Sequence, residues 1–224
     1  MTQPIVRNSR LVASYRRYLA SADTLRFAQQ VSDAYLPSTL AKLLAVGCIE
    51  VRRAASLALG IVGDGTVVEA LGRALSDSDR GVRLAADDAF RATLVRDAAP
   101  AHHQQLLQVM HLNDGGEFAA GLPPAMILAN QSPGYAEAMH QMGICWEGLN
   151  NLDEAEAAFR KCLWLCRFHY PAWIGVARCR MERNDLGAAL KALDLATSIC
   201  PDLEVPRAQA RVIRRRLGIS ERQG

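Results

Sequence analysis

Asn150–Phe159 reads NNLDEAEAAF, and Asn184–Leu193, 34 residues later, reads NDLGAALKAL. Both open on a polar turn, carry small residues at matching offsets and close on a large apolar side chain. Extending the comparison at that spacing sets Gly143 over Ala177, Ala155 over Ala189, Phe159 over Leu193 and Cys162 over Ala196, and it aligns a third turn at Gly116-Glu117-Phe118. A fixed internal period of this size marks a repeat architecture in which each unit is one helix-turn-helix. Such a unit has apolar residues on both faces and is stabilised by its neighbours, so about three or more units are needed. The expected fold is all-α, an α-solenoid of helical hairpins.

Residues 136–169 supply Met139, Met142-Gly143, Trp146, Ala155 and Phe159; residues 170–203 supply Trp173, Ala177, Ala189, Leu193, Ala196 and Pro201. This set resembles the tetratricopeptide repeat, whose first helix takes a bulky residue, leucine-glycine and an aromatic, and whose second takes alanine, an aromatic and alanine before a closing proline. Arg167 stands at the first unit's proline position. Gly143, Ala155, Ala177 and Ala189 are expected to let helices approach closely, with Trp146, Phe159, Trp173 and Leu193 filling the space between them. Residues 102–135 have the turn and Pro133, but HHQQLLQVMHL fits the register poorly. Pro123 and Pro124 are expected to shorten that unit's second helix, because proline is tolerated only in a first turn. Past Pro201, EVPRAQARVIRRRLG suits a polar capping helix ending at Gly218.

The N-terminal half repeats at 31 residues, with Leu40 over Leu71, Val51-Arg52 over Val82-Arg83, Ala54-Ala55 over Ala85-Ala86 and Ala58 over Ala89. GCIEVRRAASLALGIVGD and SDSDRGVRLAADDAF resemble HEAT repeats of the short type found in phycobilin-lyase-like proteins. The resemblance implies a polar ladder between units, built from an aspartate six residues before an arginine. Asp77 and Arg83 keep that spacing, and Val46 stands at the earlier equivalent of Asp77. Arg52 is therefore expected to use Asp77 of the next unit. SRLVASYRRYLAS reads as an N-terminal cap, and DTLRFAQQVSDAYLP as an upstream unit with a shorter connection. The expected organisation is 1–97 cap and HEAT-like repeats, 98–135 a degenerate junction repeat, and 136–224 tetratricopeptide-like repeats with a capping helix. End-to-end stacking of the two arrays has one alternative, a hinge at NDGGEFAAGLPP, residues 113–124.

Composition narrows the function classes. With 26 basic and 23 acidic residues the net charge is +3, which speaks against a nucleic-acid surface. No apolar run serves as a signal peptide or a membrane span, so a cytoplasmic protein is expected. The six cysteines, at 48, 145, 162, 166, 179 and 200, form no C-x-x-C pair and read as buried reduced thiols. Cys145 and Cys179 share one repeat position and Cys166 and Cys200 another, as packing residues do. GIVGDGT is an inter-helix turn rather than a phosphate loop, and no serine elbow or paired carboxylates are found.

The histidines are His102, His103, His111, His140 and His169. Neighbours in a helix point about 100° apart, so His102 and His103 do not share a face. Cys162 and Cys166 do share one, with His169 nearby, but packing explains them better than a metal. HEAT proteins resembling deoxyhypusine hydroxylase hold iron through His-Glu pairs, and none occurs here. The chain is thus expected to be non-catalytic, with no cofactor and no metal.

The tetratricopeptide resemblance implies a peptide-binding face on the first helix of each unit, which places His140, Ile144 and Glu147 beside Ile174, Arg178 and Met181. The lysine and asparagine with which that family clamps a C-terminal carboxylate are missing from these positions. The mixed, rather apolar set suits an amphipathic helix or apolar peptide, and it equally suits packing against the chain's own helices. Arg207, Arg211, Arg214 and Arg215 form a basic patch with Arg216 and Arg222, without the interleaved aromatics that stack on bases. Basic residues near a helix C-terminus complement its dipole. The resulting expectation is a scaffold or adaptor for a protein or peptide partner. The alternatives are a phycobilin-lyase-like enzyme or enzyme subunit, and a nucleic-acid-associated solenoid acting through the arginines.

Overall fold

Four left-handed residues punctuate the C-terminal half of the computed structural model at a constant interval of 34: Gly116 (φ 74°), Asn150 (61°), Asn184 (59°) and Gly218 (66°). Each closes a helix by the same pair of bonds. Glu117, Asn151, Asp185 and Ile219 donate their amides to the carbonyls of Leu112, Trp146, Arg180 and Arg214, at 2.8, 2.9, 2.9 and 3.0 Å. This termination spends one left-handed residue to satisfy carbonyls that would otherwise be orphaned, and glycine and asparagine adopt that conformation most easily. The polar turns seen in the sequence are therefore helix stops of one kind.

The structure describes residues 10–96 and 100–219. In chain order the helices are α1 (Arg10–Ser21), α2 (Thr24–Ala34), α3 (Pro37–Val46), α4 (Ile49–Val62), α5 (Val68–Ala74), α6 (Arg80–Arg96), α7 (Pro100–Asp114), α8 (Phe118–Gln131), α9 (Ala136–Gly148), α10 (Leu152–Leu165), α11 (Tyr170–Glu182), α12 (Leu186–Ile199) and α13 (Glu204–Arg216). There is no strand among the described residues, and none of these helices is long and apolar enough to cross a membrane. The chain divides into two units, Met1–Thr93 and Leu94–Gly224.

In the second unit the hairpins α7–α8, α9–α10 and α11–α12 follow one another, and α8 packs on α9, α10 on α11 and α12 on α13. Helices α8, α10 and α12 each have 14 residues and begin 34 apart. That equality corrects one expectation, because Pro123 and Pro124 lie inside α8 without shortening it. The amides they lack would have bonded to the carbonyls of Ala119 and Ala120, which sit in an exposed first turn where water can replace them. Burial of Ala125, Leu128 and Ala129 holds the remainder of the helix.

Phe159 on α10 is the centre of this packing. Its ring is fully buried, and a Cβ added to Gly143 of α9 or Gly175 of α11 would come within 2.6 Å of it. Two glycines from successive units thus make a slot for one aromatic ring. Leu193, one repeat later, is likewise fully buried, as are Ala155, Ala177 and Ala189. Trp146 and Trp173 are only half-buried, so neither indole fills the core as expected. Trp146 shares its repeat position with the charged Arg180, which pairs with the buried Glu156 of α10.

The first unit keeps its own period: α3 and α5 begin 31 apart, as do α4 and α6. Arg52 donates to both Asp77 oxygens at 2.8 and 2.9 Å and to the Gly47 carbonyl at 2.9 Å, the pairing expected from sequence. Arg83 turns instead to the Asp77 carbonyl, at 2.9 Å. A second rung joins Arg53 to Asp79 through two bonds of 2.8 Å. The spacing had not singled out this rung. Between α4 and α6 the backbones approach closely: a Cβ on Gly60 would lie 2.9 Å from that of Ala89.

Candidate functional site

Helices α9 and α11 carry every residue expected to line the peptide face. Ile144, Ile174 and Met181 are part-exposed. Between them, Arg178 of α11 donates through Nε and Nη2 to the two carboxylate oxygens of Glu147 of α9. This bidentate pair ties consecutive first helices and removes both charges from the set free to meet a ligand. His140 differs from the others, because the structure places it inside, 9 % exposed, with its ring centroid 4.5 Å from that of His169 and 5.8 Å from that of Phe159.

His140 belongs to a buried polar chain that runs across α7, α9 and the start of α11. The Cys145 thiol donates to Asn113 Oδ1 at 3.0 Å, and Asn113 Nδ2 donates to Gln141 Oε1 at 2.9 Å. Gln141 Nε2 then donates to Glu137 Oε1 at 2.8 Å. The Glu137 carboxylate also lies 3.1 Å from His140 Nδ1 and 3.0 Å from His169 Nε2. Asn113, Glu137, Gln141 and His169 are all buried. A buried polar atom is tolerable only when bonded, and every member here is.

Glu137, His140 and His169 bring one ligand atom each to within 4.8 Å of the others, a donor set of the kind zinc takes. The hydrogen bonds decide against that use. His169 caps α11, its Nδ1 accepting from the Ala172 amide at 3.2 Å, so the ring proton sits on Nε2 and points at Glu137. A metal on Nε2 would move that proton to Nδ1, directly against the Ala172 N–H; ligating histidines instead donate from their second nitrogen. The cluster reads as a hydrogen-bonded joint between units. Glu137 and Gln141 had no part in the sequence reading, although Glu-x-x-His at 137–140, on one face of a first turn, was a usable signal.

Burial works against charge at both ends of this joint. The His169 imidazole is held below its ordinary 6.5 by burial and by its neighbour His140, against the pull of Glu137. Burial also disfavours the Glu137 carboxylate, but His140 and His169 more than offset it and keep the group well below the usual carboxylate range. Below pH 6.5 the unfolded chain therefore takes up a proton at His169 that the folded chain resists, so stability falls as pH drops from 6.5 through the lower folded value. The His169→Asn variant, which keeps a cap acceptor but cannot titrate, is expected to flatten the fall of the melting temperature as pH drops below 6.5. An unchanged slope in that variant would place the titration elsewhere.

All six cysteines are free thiols. Five are buried, but Cys48 is exposed, contrary to the expectation for the set. Burial raises the Cys162 thiol well above its ordinary value and pushes Cys179 up to about 11, so both stay protonated and unreactive at neutral pH. On α13, Arg207, Arg211, Arg215 and Arg216 are exposed, while Arg214 pairs with Asp194 of α12.

No family model matches the chain, and no curated protein matches it. Among solved structures it is similar to the TPR2AB domain of yeast Sti1 in its complex with pHSP90, at 15 % identity and a TM-score of 0.45, covering 92 % of this chain and 82 % of that one.

Proposed function

We propose that the chain is a non-catalytic interaction module of the cytoplasm, whose second unit holds a peptide or partner helix against the first-helix face of α9 and α11. The observation that carries this reading is the part-exposed apolar set Ile144, Ile174 and Met181, spread over two helices in one repeat register and joined by the Glu147–Arg178 pair. With the charges paired to each other, the face favours an apolar or amphipathic ligand over a strongly charged one. His140 contributes from behind, as part of the joint that sets the α9–α11 spacing. The first unit is read as HEAT-like repeats, supported by the 31-residue period and the Arg52–Asp77 rung.

The test is capture of partners from the native cell by wild type and by an Ile174→Glu, Met181→Glu variant. Loss of the captured proteins with an unchanged thermal melt is the expected result, because both side chains are part-exposed and their replacement leaves the core intact. Identical interactors from the variant would exclude this face. A purified protein that is coloured or carries a thiol-linked chromophore would favour the lyase-like alternative instead.

A further inference from the structure

The repeat register gives α13 an unexpected surface. Positions 143, 177 and 211 are equivalent, and Gly143 turns towards the ring of Phe159 on the second helix of its own unit. Ala177 is fully buried at the same place, one repeat on. Position 211 is arginine, and so is 207, one turn earlier, where the preceding units have the fully buried Met139 and the half-buried Trp173. Both arginines are exposed. The face of α13 that would receive a second helix is thus charged, and it borders a cavity of about 420 Å³ lined by Asp194, Thr197, Arg207, Ala210, Arg211 and Arg214.

Arg214 is neutralised by Asp194, whereas Arg207 and Arg211 have no carboxylate partner among the described residues. Val205, 68 % exposed, lines a neighbouring groove with Glu204, Arg207, Ala208 and Arg211. An apolar second helix cannot settle on two guanidinium groups that lack a carboxylate, Arg207 holding only the Pro201 carbonyl at 3.4 Å, without leaving their charges desolvated. A second copy of α13 would oppose arginine with arginine. A helix carrying glutamates at i and i+4 with apolar residues beside them matches the two arginines and the neighbouring Val205. We propose that this face of α13 is a second docking surface, which takes an acidic amphipathic helix of a partner protein.

The probe is a labelled synthetic helix of 14 residues, the length of α12, with glutamates at i and i+4 flanked by leucines, followed by fluorescence anisotropy against the full chain. Binding at about 50 mM salt is expected, weakened about tenfold by Arg207→Ala with Arg211→Ala and unaffected by Ile174→Glu with Met181→Glu. Arg211→Glu should in turn prefer the same peptide with lysine for glutamate. Circular dichroism verifies that the variants stay folded. Failure of the wild type to bind, equal binding by the double arginine variant, or tighter binding of an RNA oligonucleotide than of the peptide would each overturn the proposal. Because the α9–α11 variant is carried in parallel, the two surfaces succeed or fail separately.

Discussion

Phe159→Ala is expected to destabilise the chain by about 3–5 kcal/mol, the range for removing a fully buried aromatic ring from a rigid slot. The slot cannot easily collapse, since its walls are the backbones of α9 and α11 at Gly143 and Gly175. Urea denaturation followed by circular dichroism reads the loss. Trp173→Ala, at a half-buried position, should cost clearly less. The reverse order would move the centre of the core away from α10.

Glu137→Ala should be nearly as damaging, at about 3–5 kcal/mol, because it strands buried donors on Gln141, His140 and His169 at once. Glu137→Gln keeps one acceptor and should cost about 1–3 kcal/mol. The same denaturation experiment ranks the two. Equal and small effects would mean that water already serves these groups. Stabilisation of the wild type by added zinc, absent from Glu137→Ala, would return the cluster to a metal role.

The repeat period was readable from sequence because the left-handed turn and the small-residue positions recur with little variation; Asn150 and Asn184 alone place two helix stops. The Arg52–Asp77 rung was expected through the resemblance to HEAT repeats, which implies a polar ladder from one unit to the next, and not from the spacing of the two residues themselves. What stayed hidden depended on side chains meeting across units. Glu137 looked like an ordinary first-turn acid of α9, and nothing local tells that His169, 32 residues on, turns back to meet it. His140 sat in register for the ligand face and was drawn inside by the same carboxylate. The tryptophans misled through size. A large indole suggests a core, yet the glycine slot between first helices admits a ring from the second helix, and Phe159 occupies it.

A double-mutant cycle between Phe159 and Gly175 tests most directly whether successive hairpins are held together by packing between units. With the ring present, Gly175→Ala forces a Cβ to 2.6 Å from it and should destabilise the chain. With Phe159→Ala in place, the same change should be neutral or stabilising by up to about 1 kcal/mol, the helix preference of alanine over glycine. The predicted coupling is therefore larger than about 1 kcal/mol. Additive effects, within about 0.5 kcal/mol, would show that α10 and α11 do not share this contact and would contradict the account.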